Sequence, residues 1–372
     1  MATPKFKIEL LPDNNQQSNS DQREDLTSLF DARLISMIIT DNRGFESDTI
    51  EMQLNDADGK LKLPKRKAKL AVTLGWSQIQ ATNKDSDDNI IGPNIKNVFL
   101  IDEVEHSGTP DLMTIRGRSA QNTEELEEKK EQSYENITLG DLIAIIAKRN
   151  NLAYRFDKDI GASQIFHMDQ TLESDISFLT RMVDEAGGVV TVKNDIMLVF
   201  KKGKGLTVGG KIIPPAIIKR ESGDKHRFFT SERTGYTGVQ TYWYDYANPT
   251  KNPHKIIYKS QIDKSQIVLN GKKEKIKIIR YVYANEKSAQ KAAESELNKI
   301  KQGTAQFTIE LAKGRPDLFT EMPVIVEGFK TEIDSTNWTI IQCVHTLKRS
   351  AGFKTAVHLE IKLEDEIYYN EN

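Results

Sequence analysis

The chain has 372 residues, of which 38% are hydrophobic, 8% aromatic and 28% charged, and its formal net charge is −2. That length and composition predict two to four globular domains, and the near-even charge excludes a general affinity for nucleic acid. The single cysteine, Cys343, excludes a disulfide within the chain, which suits a reducing compartment.

In chain order, Met1-Ala2-Thr3-Pro4-Lys5 has no apolar core of a signal peptide, so none is expected. Phe6, Ile8 and Leu10 alternate with charged residues, as in a half-buried strand. Residues 12–26 are rich in Asn, Gln, Ser and Asp and predict a loop. Leu34 to Thr40 is an Ile-rich strand that ends in the turn Asp41-Asn42-Arg43-Gly44. A β unit over about 48–118 follows, with a long polar loop from Ser77 to Lys96. In that loop Asp85, Asp87 and Asn89 have a calcium-like spacing. Ile90 stands where the central Gly belongs and Lys96 where the bidentate Glu belongs, so the loop reads as solvated.

Composition changes at Asn122. Glu124 to Glu131 is a charge-dense linker or helix. Thr138 caps a helix, with Asp141 at its third position, and Leu142, Ile143, Ile145, Ile146 and Ala147 form its apolar face. That run falls far short of the roughly 20 residues a membrane span needs, so no membrane segment is expected. Asn150-Asn151 ends the helix. Ser174-Asp175 starts a second one, with Ile176, Leu179, Met182, Val183 and Ala186 at helical spacing and Gly187-Gly188 as the stop. Val189–Val192 and Ile196–Phe200 read as a hairpin around Asn194-Asp195. Residues 132–202 thus form a small α+β module between β units.

Lys201 to Gly205 is a boundary. Ile212–Ile218 and Thr237–Tyr246 are strand candidates, and 247–280 alternates Lys with Ile, as exposed strands do. Asn285 to Lys301 is a helix with a narrow apolar stripe of Ala289, Ala292, Ala293, Leu297 and Ile300. The last β unit then runs to the polar tail Asn370-Glu371-Asn372.

The two β units resemble one another. Thr49-Ile50-Glu51-Met52 matches Thr308-Ile309-Glu310-Leu311, and turns follow at Gly59 and Gly314. Leu63-Pro64 matches Met322-Pro323, with each Pro at the same offset. Val72 to Trp76 matches Val324 to Phe329, each ending in Gly plus an aromatic. After a polar loop, Phe99–His106 matches Trp338–His345. Turns at Gly108 and Gly352 lead to Thr114-Ile115-Arg116 and Thr355–Ile361. The unequal loops are no obstacle, because closure entropy grows slowly with length. The order of elements predicts an internal duplication.

Residues that carry chemistry are sparse. The six histidines (106, 167, 226, 254, 345, 358) have no metal-ligand spacing. His106 and His345 match between the units and read as a duplicated structural role. Cys343 reads as a small buried apolar side chain. Gly203, Gly205, Gly209 and Gly210 lack a following helix start, so no phosphate cradle is expected. Asp169, Glu173 and Asp175 can be drawn as glycosidase carboxylates. The alternative is that Asp175 favours the helix N-terminus and the other two are solvated. Tyr242, Tyr244 and Tyr246 share one strand face, with Trp243 on the other, which suits a core or a subunit contact more than base stacking. No catalytic, cofactor-binding or metal residue is assigned.

Ile39 to Pro64, Gly75-Trp76, Asp102 to Ser119 (DEVEHSGTPDLMTIRGRS), Thr138 to Asp141 and Asp169 to Phe200, with its ESDISFLTRMVDEAGG helix, resemble the phage late control protein D family. These are tail hub proteins of contractile-tailed phages, found also in prophages and phage-tail-like bacteriocins. The likeness covers most of 34–365 and is weakest over 206–300. It implies a fold that is mainly β with α+β insertions: two tube-like antiparallel β-barrel domains related by internal duplication. The expected domains are 1–130, 131–205 and 206–372, the last carrying an inserted strand and helix segment at about 247–303.

The implied function is a structural tail or baseplate hub. Three chains, each with two units, make a pseudo-sixfold ring that adapts a hexameric tail tube to a trimeric spike. Implied partners are itself as a homotrimer, the spike protein, the tail tube protein, baseplate wedge proteins and, further off, the tape measure protein. Stable nucleic-acid binding is not implied, since a basic lumen would hold phosphates. The implied place is the virion tail baseplate or a phage-tail-like particle, assembled in the bacterial cytoplasm.

Two other readings exist. One is the hub portion of a type VI secretion spike-like protein. The chain shows no hexapeptide-like repeats before Asn372, so a needle would be a separate subunit. The other is a cell-wall-binding or muralytic tail-tip module, suggested by a faint likeness of Thr138–Leu152 to a peptidoglycan-binding LysM unit.

Overall fold

The computed structural model describes residues 2–12, 23–65, 67–78, 94–119, 124–193, 195–230, 236, 238–244, 254–259, 276–283 and 285–363. The calcium-like triplet Asp85, Asp87 and Asn89, most of the 12–26 loop, Tyr246 and the tail 370–372 lie outside the described residues.

The first β unit contains β1 (Ala2–Leu11), β2 (Glu24–Asp25), α1 (Thr27–Arg33), β3 (Leu34–Asn42), β4 (Thr49–Asn55), β5 (Lys69–Gln78), β6 (Ile95–Ser107) and β7 (Leu112–Ser119). Alternation sorts its side chains. Ile50, Met52 and Leu54 of β4 are buried, while Thr49 and Asn55 are exposed. Their core also takes Ile8, Met37, Ile39, Val72, Leu74 and Phe99, each worth about 1.5–3 kcal/mol on removal from water.

The middle module contains α2 (Glu124–Glu127), β8 (Lys129–Thr138), α3 (Leu139–Arg149), β9 (Ala153–Phe156), α4 (Lys158–Gly161), β10 (Gln164–Ser174), α5 (Asp175–Glu185), β11 (Gly188–Lys193) and β12 (Ile196–Lys201). Thr138 and Asp141 form a reciprocal capping box at the start of α3. Ser174 caps α5 by accepting from the Ser177 amide, and Gly187 closes it at φ 77°. Helices α3 and α5 bury Leu142, Ile143, Ile146, Phe178, Leu179 and Val183 in one core. β11 and β12 are the expected hairpin. The antiparallel pair β8 and β10 was not foreseen. Its strands are mostly exposed and polar, with Tyr134 the one buried residue of β8, so no alternation marks them.

The last part contains β13 (Ala216–Lys219), β14 (Gly223–Thr230), β15 (Gly238–Trp243), β16 (His254–Lys259), β17 (Ile276–Tyr283), α6 (Glu286–Gln302), β18 (Ala305–Leu311), β19 (Pro323–Glu327), α7 (Thr331–Asp334), β20 (Trp338–Lys348) and β21 (Gly352–Ile361). Asn285 caps α6, and its Ala293, Leu297 and Ile300 pack with Val239. β15 lies between β16 and β17 in a separate small sheet. Ile212 is 80% exposed and lies outside β13, so the strand expected over Ile212–Ile218 is shorter and later.

The two β units pair their strands in the same order. The first runs β3-β4-β7-β6-β5-β1, and the second runs β14-β18-β21-β20-β19-β13. Every neighbouring pair is antiparallel except β13 with β19, which is parallel.

Two bulges recur as well. β3 on β4 shifts register between Leu34 and Ser36, and β14 on β18 shifts between Gly223 and Lys225. β6 on β7 shifts between Ile101 and Glu103, and β20 on β21 shifts between Ile340 and Gln342. A bulge fixes register. These bulges make Leu34 equivalent to Gly223, and Glu103 to Gln342. The units are consecutive segments of one 13-stranded sheet, because β20 also pairs with β3.

Candidate functional site

The join between the units carries polar contacts at both ends. Along it, residues 342–348 of β20 run antiparallel to 36–42 of β3, with Val344 facing Thr40 and His345 facing Ile39. Gln342 donates from Nε2 to Asn42 Oδ1 at 2.7 Å. At the other end Arg349 donates through its backbone to Ile35 O at 3.2 Å and through Nη1 to Ala32 O at 3.1 Å.

Beyond β3, Arg43 pairs with both Glu321 and Glu360. Glu321 also accepts from the Gly203 amide at 2.8 Å, and Glu360 from Gln302 Nε2 at 2.7 Å. One guanidinium thus ties the first unit to the second unit, to the Lys201–Gly205 boundary and to α6. Burial pushes the Glu321 carboxyl up, and the Arg43 charge opposes that.

A second joint holds the middle module. Lys193, at the tip of the β11–β12 hairpin, reaches Asp41 at 2.9 Å and Asp48 at 2.5 Å. Asp41 also accepts from the Thr320 amide at 3.3 Å, so three parts of the chain meet on it. Burial, then the like charge of Asp41, pushes the Asp48 carboxyl up to about 6, while Lys193 pulls against that rise.

The proposed carboxylate trio is dispersed into ion pairs. Asp175 is fully buried. It accepts from Arg149 at Nε (2.8 Å), Lys130 (3.0 Å), Asn150 (2.9 Å) and Gln170 (2.8 Å). Burial alone would raise its carboxyl, but these bonds outweigh burial and hold it below the ordinary range. This is more than the helix-terminus role read from sequence. Glu173 pairs with Arg181 at 2.8 Å and so is not simply solvated. Asp169 is exposed and lies 3.3 Å from His167. A cleft of about 870 Å³ opens between the module and α6, lined by Phe166, Met168, Arg181, Tyr281, Tyr283 and Lys291 among others, and none of the three carboxylates lines it. Among the described residues no group of three or more His, Cys, Asp and Glu side chains is placed to hold a metal.

The matched histidines differ in surroundings. His345 is buried, its Nδ1 lies 3.0 Å from Thr355 Oγ1, and burial lowers it to about 4. His106 is exposed, 3.3 Å from Asp56. β3 covers the edge at His345, whereas at His106 β6 has β7 on one side and, among the described residues, no strand on the other. The expected shared structural role is therefore present in strand position and absent in burial. Cys343 is buried, and burial raises its thiol well above the usual value. Tyr242, Trp243 and Tyr244 are half-buried. Tyr242 bonds Gln240.

A family model described as phage tail baseplate hub (GPD) matches residues 95–351. The probable baseplate hub protein of Escherichia phage 186 is 36% identical over 376 residues, covering 94% of this chain and 93% of that protein. The chain belongs to the phage tail baseplate hub family. The corresponding protein of Escherichia phage P2 is 37% identical over 374 residues, with 94% and 93% covered. In fold the hub is similar to a crystal structure of a tail protein from Neisseria meningitidis MC58, with TM-score 0.64 and 13% identity over 96% of each chain. A baseplate hub is a virion component of the tail. No helix of the described residues is long and apolar enough to cross a membrane.

Proposed function

We propose that three copies of this hub close into a ring in which six similar β units follow one another. The ring adapts a sixfold tail tube on one side to a threefold spike on the other, and baseplate wedge proteins surround it. The observation that carries this reading is the repeated strand order with its two repeated bulges. Two equivalent units per chain turn threefold symmetry into approximate sixfold symmetry, and we attribute the equivalence to internal duplication. The units fall within about 1–130 and 206–372, with the module of 131–205 between them. The role is architectural, and we assign no reaction to it.

Light scattering on the purified chain tests the reading. Each copy weighs 42.2 kDa, and the expected mass is that of three copies. A mass of one copy at every concentration, or of six, contradicts it.

A further inference from the structure

Resting on the ring reading, we propose that neighbouring copies join by pairing β14 of one with the C-terminal half of β6 of the next, in the register that β3 and β20 already use within the chain. The join between units inside the chain is then the template for the join between chains.

β14 pairs with β18 on one side and, among the described residues, ends the sheet on the other. β5 covers β6 only from Ile95 to Leu100. Residues 102, 103 and 105–107 of β6 are exposed, so this edge is open among the described residues. β14 is equivalent to β3, and β6 to β20. Among the described residues, the edges still lacking the partner that the template supplies are therefore β14 and the end of β6. Open edges of this length invite pairing with another chain.

The template also gives the register. Within the chain Thr40, Ile39 and Ile38 face Val344, His345 and Thr346. Through the bulges these become Phe229 opposite Glu105, Phe228 opposite His106 and Arg227 opposite Ser107. The exposed His106 then gains the cover that His345 has from β3.

Charge and apolar surface agree with this occupant. On β14, Lys225 and Arg227 are exposed and Phe229 is 46% exposed. On the facing edge Arg116 is shared by Glu51, Glu103 and Glu105, at 2.8, 3.5 and 3.2 Å. Three carboxylates against one guanidinium leave that face negative. Arg227 of the neighbour lies diagonal to Glu105 in the proposed register, within reach of a long side chain. An exposed Phe beside Arg227 is also the kind of residue that subunit contacts bury.

The test is disulfide trapping in the full chain. Glu105→Cys with Phe229→Cys puts two cysteines directly opposite across the proposed ladder, at a spacing a disulfide accepts. Cys343 is buried and does not compete. The expected result is covalent trimers on oxidation, while Glu105→Cys with Lys225→Cys, displaced by four residues, gives none. A chain that is trimeric by mass yet links only in the displaced pair, or in neither, overturns the pairing and leaves the ring standing. A chain with the mass of one copy overturns the ring, and the pairing with it.

Charge reversal is the second arm. Glu103→Lys with Glu105→Lys is expected to abolish the trimer, and Lys225→Glu with Arg227→Glu added to it to restore the trimer. Losses that add instead of compensating overturn the pairing.

Discussion

Trp76, in the first β unit, donates from Nε1 to the carbonyl of Gly314, 238 residues away, at 2.9 Å. Its ring lies 5.4 Å from that of Phe353. The contact welds the aromatic end of β5 to a turn of the other unit. A Cβ at Gly314 would stand 2.4 Å from the Phe353 ring. Gly314→Ala is therefore expected to cost about 1–3 kcal/mol through overpacking. Trp76→Phe keeps most of the apolar contact and loses the donor, for about 1 kcal/mol. Denaturant unfolding of the two variants checks both, and equal stability to the parent would remove this contact from the account.

Asp175 anchors the middle module. Asp175→Ala leaves Arg149 and Lys130 without their buried partner, and such a loss typically costs about 3–5 kcal/mol. Calorimetry should show the variant melting well below the parent. Wild-type stability would mean that the network around Asp175 is ornamental.

His345 gives the chain a sign on its pH dependence. Its ordinary value is 6.5 and burial lowers it to about 4 in the fold. Between these values the unfolded chain binds a proton that the folded chain does not. Stability contributed here is complete above pH 6.5 and falls as pH drops toward 4. His345→Gln is expected to flatten that part of the stability profile by close to one proton. An unchanged slope would show that His345 is not the group responsible.

Lys193 makes the opposite kind of prediction. Lys193→Met leaves Asp48 buried beside Asp41 without a cation, at a cost of up to about 3–5 kcal/mol near neutral pH. Asp48 already sits above its ordinary 3.8 and rises further in the variant. A raised carboxyl loses stability as pH rises through the window from 3.8 to its folded value. The deficit should therefore shrink as pH is lowered from 7 to 4, read as the difference in unfolding free energy between variant and parent.

Much of this was legible in the chain. Alternation in β4, β18, β20 and β21 and the caps at Thr138, Ser174 and Asn285 mark their elements directly. The matching of His106 with His345 agrees with the bulges. The matching of Thr49 with Thr308 does not, since the ladders make Glu51 equivalent to Thr308. A strand repeats its facing every two residues, so a slip of two leaves the apolar pattern intact and passes unnoticed. Pro64 and Pro323 also part, because the ladders make Lys69 equivalent to Pro323, which begins β19, while Pro64 precedes β5. The joints at Arg43, Lys193 and Asp175 left no local signal. Each gathers partners from distant parts of the chain, and only the fold brings them together.

An averaged cross-section of the tail tip, with this subunit labelled, tests the central claim most directly. The account predicts three copies per ring, displaying six similar β lobes that alternate in two slightly different forms. Six copies per ring, or three lobes without that alternation, would contradict it.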